Sequence, residues 1–474
     1  MGEPTPLELE QTMNAPTDHE NADAIGPRSW WHVRKPVFFV VDYGLLWLAV
    51  HAAHLWSPRV LGLWHPPGWL VVQIGLPFAI AVGLQLAGVQ VNQAGFRGSE
   101  TLTRIMIGSV VGLLGFVLLQ AVVGYELVGR YILGLTLLLG STLVLLSRFV
   151  IWRLAEKESR EVFMIGSEPA YAELARRVSE QRLPIRLVGR VAWRALHPEL
   201  AAGTPDESAG DRRATLDSLA GEFVVENPDA LPPSDRQALL KLIAQGRRVI
   251  DLGIFYEREL EMVHVEGLRD SWFWSYDPAQ ARPVFFAFKR VADIGFSLLG
   301  LLLTAPLAMV CALGIVLQDR GPVFYSQTRV GLRNRPFAIH KFRTMRVNAE
   351  PGGPRWAAEN DARVTAFGRL LRRTRFDEIP QFWNILAGEM SFIGPRPERP
   401  ELIAPIVEKL PYYRLRHIVK PGLTGWAQVN YHYGASLEDT REKLAYDLHY
   451  IKYGSLIREM HIILRTISTL TRGR

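Results

Sequence analysis

In the stretch RRTRFDEIPQFWN, residues 372–384, two adjacent carboxylates, Asp377 and Glu378, stand between a cluster of arginines and a helix-starting proline. Asp377 is a good N-cap, and Pro380 is tolerated in a first helical turn. The spacing therefore predicts a helix through PQFWNILAG that stops at Gly388. Both acids would then lie at the positive end of that helix, with Arg372, Arg373 and Arg375 just upstream. Such surroundings favour ionised carboxylates and attract phosphate groups. A Mg²⁺ ion bound by one or both oxygens of the pair would let an anionic diphosphate approach an anionic nucleophile that otherwise repels it. An isolated Asp-Glu pair is more often a cap beside a surface acid, so the neighbouring motifs decide.

Three of them do. FAIHKFRTM has strand-like composition, and a period of two puts Lys341 and Arg343 on one face, where they could hold phosphates. In MSFIGPRPERP, prolines on both sides of Arg396 stiffen the backbone and hold out a guanidinium suited to bidentate phosphate binding. In KPGLTGWAQVN, Gly422 and Gly425 permit tight turns, and Trp426 and Gln428 are candidates to contact a base or a sugar. For Trp426, packing at a membrane interface is the equal alternative.

The elements that must position these residues follow from composition. At 474 residues the chain is too long for one compact core, and 48% hydrophobic residues with 13 tryptophans suit a chain that is part membrane-embedded. A formal charge of +7 implies an anionic partner: nucleic acid, lipid headgroups or a phosphorylated substrate. The single cysteine, Cys311, excludes an intramolecular disulfide and any multi-cysteine metal site. Residues 1–28 read as a disordered tail, with too few basic residues for a signal or transit peptide.

Within residues 29–155, apolar runs at about Val37 to Trp56, Trp69 to Val91, Ile105 to Val123 and Tyr131 to Ile151 each approach the roughly 20 residues needed to cross a bilayer. Basic residues flank the outer ends and the middle loop, which places both ends of this block in the cytoplasm. Residues 156–281 alternate strand and helix patterns, predicting a parallel-sheet, Rossmann-like α/β domain. GSEPAYAEL offers only Gly166 where a dinucleotide fingerprint needs several glycines, which favours a structural or regulatory domain. A fifth apolar run, residues 294–317, follows Lys289 and Arg290 and precedes a stretch, Arg320 to Arg346, with seven Lys or Arg and no acid. Both flanks favour the cytoplasm. Pro306, after Ala305, removes a helical hydrogen bond near the middle, so a re-entrant helix broken at Ala305 and Pro306 is expected. The last residues, SLIREMHIILRTISTLTRGR, fit an amphipathic helix in the headgroup layer.

In order, KRVAD, KFRTM, FDEIPQFWNIL, FIGPRP and PGLTGWAQVN resemble the bacterial sugar transferase, or monotopic phosphoglycosyl transferase, family. The resemblance covers residues 282–474. The preceding spans and α/β domain are similar to those of the larger members, the polyprenyl-phosphate hexose-1-phosphate transferases. The resemblance implies an α/β catalytic domain with a re-entrant helix, in a multi-pass protein of the bacterial inner membrane whose active site faces the cytoplasm.

It further implies that Asp377 attacks the β-phosphorus of a UDP-sugar such as UDP-glucose or UDP-galactose. UMP would leave, and undecaprenyl phosphate would take the phosphosugar in a first step of exopolysaccharide, capsule or O-antigen synthesis. Asp377 is the implied nucleophile and Mg²⁺ ligand, with Glu378 assisting. A homodimer is implied and no nucleic acid. Two departures stand out: Ala305 replaces the usual serine before Pro306, and Phe376 replaces the usual leucine before the dyad. The rivals are a membrane scaffold for glycan export and a membrane-anchored nucleotide-sugar dehydratase. The dehydratase needs a Tyr-x-x-x-Lys, and no tyrosine here has lysine four residues on.

Overall fold

The computed structural model describes residues 35–55, 69–87, 89, 98–123, 130–155, 160–181, 183, 185–191, 221–274, 282–347, 349, 361–431 and 436–471. The tail expected at residues 1–28 lies outside them. Four apolar helices come first: α1 (Lys35–Leu55), α2 (Trp69–Leu86), α3 (Gly98–Val123) and α4 (Arg130–Ala155). They are the helical block of a membrane protein; α1, α3 and α4 have the length and composition of a full span, while α2 is shorter. Small residues let α2 and α3 approach closely: a Cβ on Gly108 would lie 2.8 Å from Leu84 Cα. Helix α2 ends at Leu86 rather than near Val91. Arginine side chains take the carbonyls beyond it, Arg104 that of Ala87 at 3.0 Å and Arg148 that of Val89 at 3.2 Å.

The middle segment forms a four-stranded, all-parallel sheet from β1 (Arg160–Ile165), β2 (Ile185–Val191), β3 (Glu222–Val225) and β4 (Arg248–Asp251), in the order β2-β1-β3-β4. Alternation along the strands fills both faces. Val162, Met164, Val224 and Ile250 pack with Leu174 and Val178 of α5 (Glu168–Glu180). Phe163, Ile165, Phe223 and Val225 pack with Leu239 and Leu242 of α6 (Pro233–Ala244). The first of these layers continues into the C-terminal third, where Val263 N–H donates to Ala445 O at 3.0 Å and Arg177 is ion-paired with Glu442.

The fifth apolar run belongs to one long helix, α7 (Pro283–Asp319), opened by Pro283 in its first turn. The expected interruption is not found: the helix is continuous through Ala305 and Pro306. A hydroxyl supports it after all, since Thr304 Oγ1 donates to Gly300 O at 2.7 Å, a back-bond of the kind that bends helices.

Both halves of α7 touch the same domain. At its middle the ring of Phe382 sits over Gly300, 2.8 Å from where a Cβ would be, and in the first half Phe296 meets Phe392 edge-on. Near its end Cys311 and Ile315 pack with Phe342, Leu371 and Ile379. The remaining elements are the antiparallel hairpin β5 (Phe324–Val330) and β6 (Pro336–Phe342), α8 (Ala366–Thr374), α9 (Gln381–Ala387), β7 (Ser391–Ile393) parallel to β8 (Gly422–Thr424), and two closing helices, α10 (Leu437–Tyr453) and α11 (Leu456–Thr471). Helix α11 does not lie in lipid alone. Ile462 is fully buried, Ile457 packs against the membrane block, and Thr466 bonds Thr424.

Candidate active site

Helix α8 starts at Thr365, whose Oγ1 accepts from Gly368 N–H at 2.9 Å, and delivers the chain to the dyad. It ends because Arg375 adopts a left-handed conformation, φ +60°. A non-glycine residue there costs on the order of 1 kcal/mol, a strain characteristic of functional sites. Phe376–Glu378 then form a 3-10 turn, with Ile379 N–H bonding Phe376 O. Asp377 is thus inside a turn and is not the N-cap of α9, which Pro380 precedes without any side-chain cap. The stop at Gly388 is as the sequence predicts, with φ +87°.

The turn separates the two carboxylates by role. Glu378 Oε1 faces three cations: Lys341 Nζ at 3.3 Å, Arg375 Nη1 at 3.5 Å and Arg396 Nη2 at 3.7 Å. Burial would raise its carboxyl, but Lys341, Arg396 and Arg375 overcome that and hold it below the usual glutamate range. Asp377 is 8% exposed, and its Oδ1 has no hydrogen-bond partner among the described residues. Burial, and then the negative charge of Glu378, push its carboxyl up against the pull of Lys341, Arg375 and Arg372. Burial also lowers Lys341, against the pull of Glu378.

Of the residues singled out from the sequence, Asp377, Glu378, Lys341, Arg375 and Arg396 come together. Arg372 lies alongside, its Nε donating to Thr344 Oγ1 at 2.9 Å. Arg373 is exposed on α8. Arg343 N–H continues the β5–β6 pairing to Val323 O at 2.9 Å, and its guanidinium lies against Gly321, while Lys341 reaches Glu378. Gln428 donates to Leu423 O at 3.2 Å, and no hydrogen bond or ion pair joins it to the dyad among the described residues. Trp426 contacts neither solvent nor lipid. It is 1% exposed, donates to Glu261 O at 3.0 Å and lies under Arg458. Among the described residues no group of three or more His, Cys, Asp or Glu could hold a metal ion. Asp377 Oδ1 still fits Mg²⁺, which commonly takes one or two carboxylates and completes its shell with waters and substrate phosphates.

Three supporting residues escaped the sequence reading. Asn384, fully buried, accepts from His340 N–H at 3.0 Å and donates to Ala338 O at 2.7 Å, joining α9 to the strand that carries Lys341. Arg329 donates to Pro397 O at 3.2 Å behind Arg396. Asp293, in KRVAD, accepts from Ser391 Oγ and Phe392 N–H, both at 3.1 Å. Asn384 sits in an apolar run and Arg329 in a basic one, so neither stood out by type.

The bacterial sugar transferase family model matches residues 284–473. A UDP-N-acetylgalactosamine-undecaprenyl-phosphate N-acetylgalactosaminephosphotransferase of Aeromonas hydrophila is 37% identical over 60% of this chain and 63% of its own length. An undecaprenyl-phosphate glucose phosphotransferase of Komagataeibacter xylinus is 33% identical over 65% of this chain and 58% of its own. The chain therefore spans less than two thirds of either relative. The exopolysaccharide production protein PSS of Rhizobium leguminosarum bv. phaseoli is 39% identical over 39% of this chain and 96% of its own length. With a dyad, a cationic clamp and a family match that coincide in the C-terminal third, this chain belongs to the bacterial sugar transferase family.

Proposed function

We propose that this protein transfers a sugar 1-phosphate from a UDP-sugar to undecaprenyl phosphate, through a phosphosugar held on Asp377. The observation that carries the reading is the asymmetry of the dyad. Glu378 is engaged by three cations, while Asp377 keeps a buried oxygen without a partner beside them. A carboxylate oxygen of Asp377 forms a bond to the β-phosphorus as the bond to the bridging oxygen of UMP breaks. An oxygen of undecaprenyl phosphate next attacks the same phosphorus and releases the carboxylate. The raised proton affinity of Asp377 makes it the better nucleophile once ionised. Lys341, Arg375 and Arg396, fixed by Glu378, bind the phosphoryl oxygens as charge moves across them. Mg²⁺ held by Asp377 would supply neutralisation of the donor's diphosphate.

The names of the relatives support this reaction class and include both glucose and N-acetylgalactosamine. The donor is accordingly a UDP-hexose or its N-acetylated form, and the product starts a glycan on its lipid carrier. The reading includes the Rossmann-like character of the middle sheet, a homodimer, and a cytoplasmic site at the inner membrane. In it, α7 dips into the cytoplasmic leaflet and returns. Supporting this last point, both halves of α7 pack on one domain, and Leu302, Leu303, Met309, Val310 and Leu317 on its other side are exposed. The test is UMP release by the purified chain with Mg²⁺ and undecaprenyl phosphate, across UDP-glucose, UDP-galactose, UDP-N-acetylglucosamine and UDP-N-acetylgalactosamine. Silence with every donor, in folded protein, would favour the scaffold.

A further inference from the structure

Gly388 ends α9 with φ +87°. A Cβ built there would lie 3.2 Å from Arg290 Nη2 and 3.5 Å from Lys420 Nζ, so two cations converge beside Gly388. Arg290 spends its hydrogen bonds on the carbonyls of Ile385 and Leu386, at 2.7 and 2.8 Å, which caps α9 but brings no negative charge. Lys420 makes no hydrogen bond and no ion pair among the described residues. Of the acids nearby, Glu459 is paired with Lys289 and bonded by Tyr450, while Asp293 accepts from the neutral Ser391 and Phe392 and keeps its charge. Lys420 is half-buried, and burial together with Arg290 and Lys289 lowers its proton affinity against the pull of Asp293. Asp293 thus brings one negative charge to the two cations Arg290 and Lys420, and the excess positive charge is a place for an anion.

Its surroundings indicate which anion. Arg290 stands on α7 just before the apolar run, among the exposed side chains of Phe288, Val291 and Phe296. Trp383, on α9, is 59% exposed, as a tryptophan at the lipid–water boundary would be. Gly388 stands at the end of α9 opposite the dyad.

We propose that Lys420 and Arg290 form a seat for a lipid phosphate, separate from the dyad, which fixes the height of α9 at the membrane surface. The inference rests on α7 entering the membrane at this end, and not on the transfer reaction. The test is retention of lipid by the full-length protein, followed by native mass spectrometry from mixed micelles. One set contains phosphatidylglycerol in phosphatidylcholine and the other undecaprenyl phosphate in phosphatidylcholine. The expected result is several-fold loss of a bound anionic lipid in Lys420→Ala and Lys420→Glu, with retention restored in Lys420→Arg.

Loss confined to phosphatidylglycerol assigns the seat to a membrane phospholipid, and loss confined to undecaprenyl phosphate assigns it to the polyprenyl lipid. Equal retention of both lipids by the wild type and Lys420→Glu overturns the proposal. Should the variants fail to fold, retention by the wild type is measured against ionic strength, and a salt-independent result overturns it equally. Because binding is read without turnover, a protein that holds lipid through Lys420 but releases no UMP would refute the proposed reaction and leave this inference standing.

Discussion

Asp377 and Glu378 are neighbours in sequence with opposite proton affinities, and that difference makes the dyad testable residue by residue. Asp377→Asn keeps the size of the side chain and removes the proposed nucleophile. UMP release should fall by roughly three orders of magnitude or more, with the unfolding midpoint of the protein unchanged. Substantial residual turnover would contradict the assignment. Glu378→Gln should act through position, since Lys341, Arg375 and Arg396 lose the charge that gathers them. A fall of about 10- to 100-fold is expected. The pH profile separates the two acids further. Turnover requires ionised Asp377, so the rate should rise with pH through a midpoint above the ordinary aspartate range. Burial is the first cause of that raised value and the Glu378 charge the second. Removing the charge in Glu378→Gln should therefore move the midpoint to lower pH. The profile of kcat/KM for the donor checks this, and a midpoint that moves upward would refute the described coupling.

At the scale of elements, the site depends on how α9 is held against β6, and Asn384 does most of that holding. Its side chain satisfies His340 N–H and Ala338 C=O as a neighbouring strand would. Asn384→Ala leaves both backbone groups buried without partners and should destabilise the domain by about 2–4 kcal/mol. It should also lower kcat, because Lys341 rides on the same strand. Denaturant unfolding in detergent, beside UMP release normalised to folded protein, measures both effects. An unaltered unfolding curve would remove Asn384 from this role.

The same elements show what the sequence could and could not disclose. The stop at Gly388, the alternation of strands and helices in the middle segment and the apolar runs of α1 to α4 are local patterns, and they were legible. Asp377 was misread as an N-cap because its place depends on Arg375 entering the left-handed region, for which arginine gives no signal. Trp426 was read as surface because nothing local says that Glu261 and Arg458 enclose it.

For the whole molecule, the question is how a membrane block, a parallel sheet and a transfer site share one chain. The block is locked at one level by a buried pair: Arg148 donates to both oxygens of Asp42, at 2.7 and 2.6 Å, and both side chains are 0% exposed. This joins α1 to α4 and, through Val89 O, to the end of α2. Asp42→Asn strands a buried guanidinium and should cost about 3–5 kcal/mol. The expected readout is lower yield and easier unfolding, with turnover per folded molecule preserved.

The second constraint is the path of α7. Its 37 residues would extend roughly 55 Å if straight, well beyond the hydrocarbon core of about 30 Å. A straight crossing would put Asp293 and Ile315 on opposite sides of the bilayer. Asp293 bonds Ser391 and Phe392, while Ile315 packs with Phe342 and Leu371, so one folded domain would have to occupy both sides. The low cost of the alternative lies in the helix itself, where Pro306 lacks its hydrogen bond and Thr304 supports the preceding turn. With both ends in the cytoplasm, cysteines placed by Phe288→Cys and Arg320→Cys in a Cys311→Ser background should resist a membrane-impermeant maleimide in intact cells. Both should react once the inner membrane is opened. Reaction of the cysteine at position 320 from outside, with the one at 288 still protected, would make α7 a full span and place the dyad on the wrong side of the membrane for a cytoplasmic UDP-sugar.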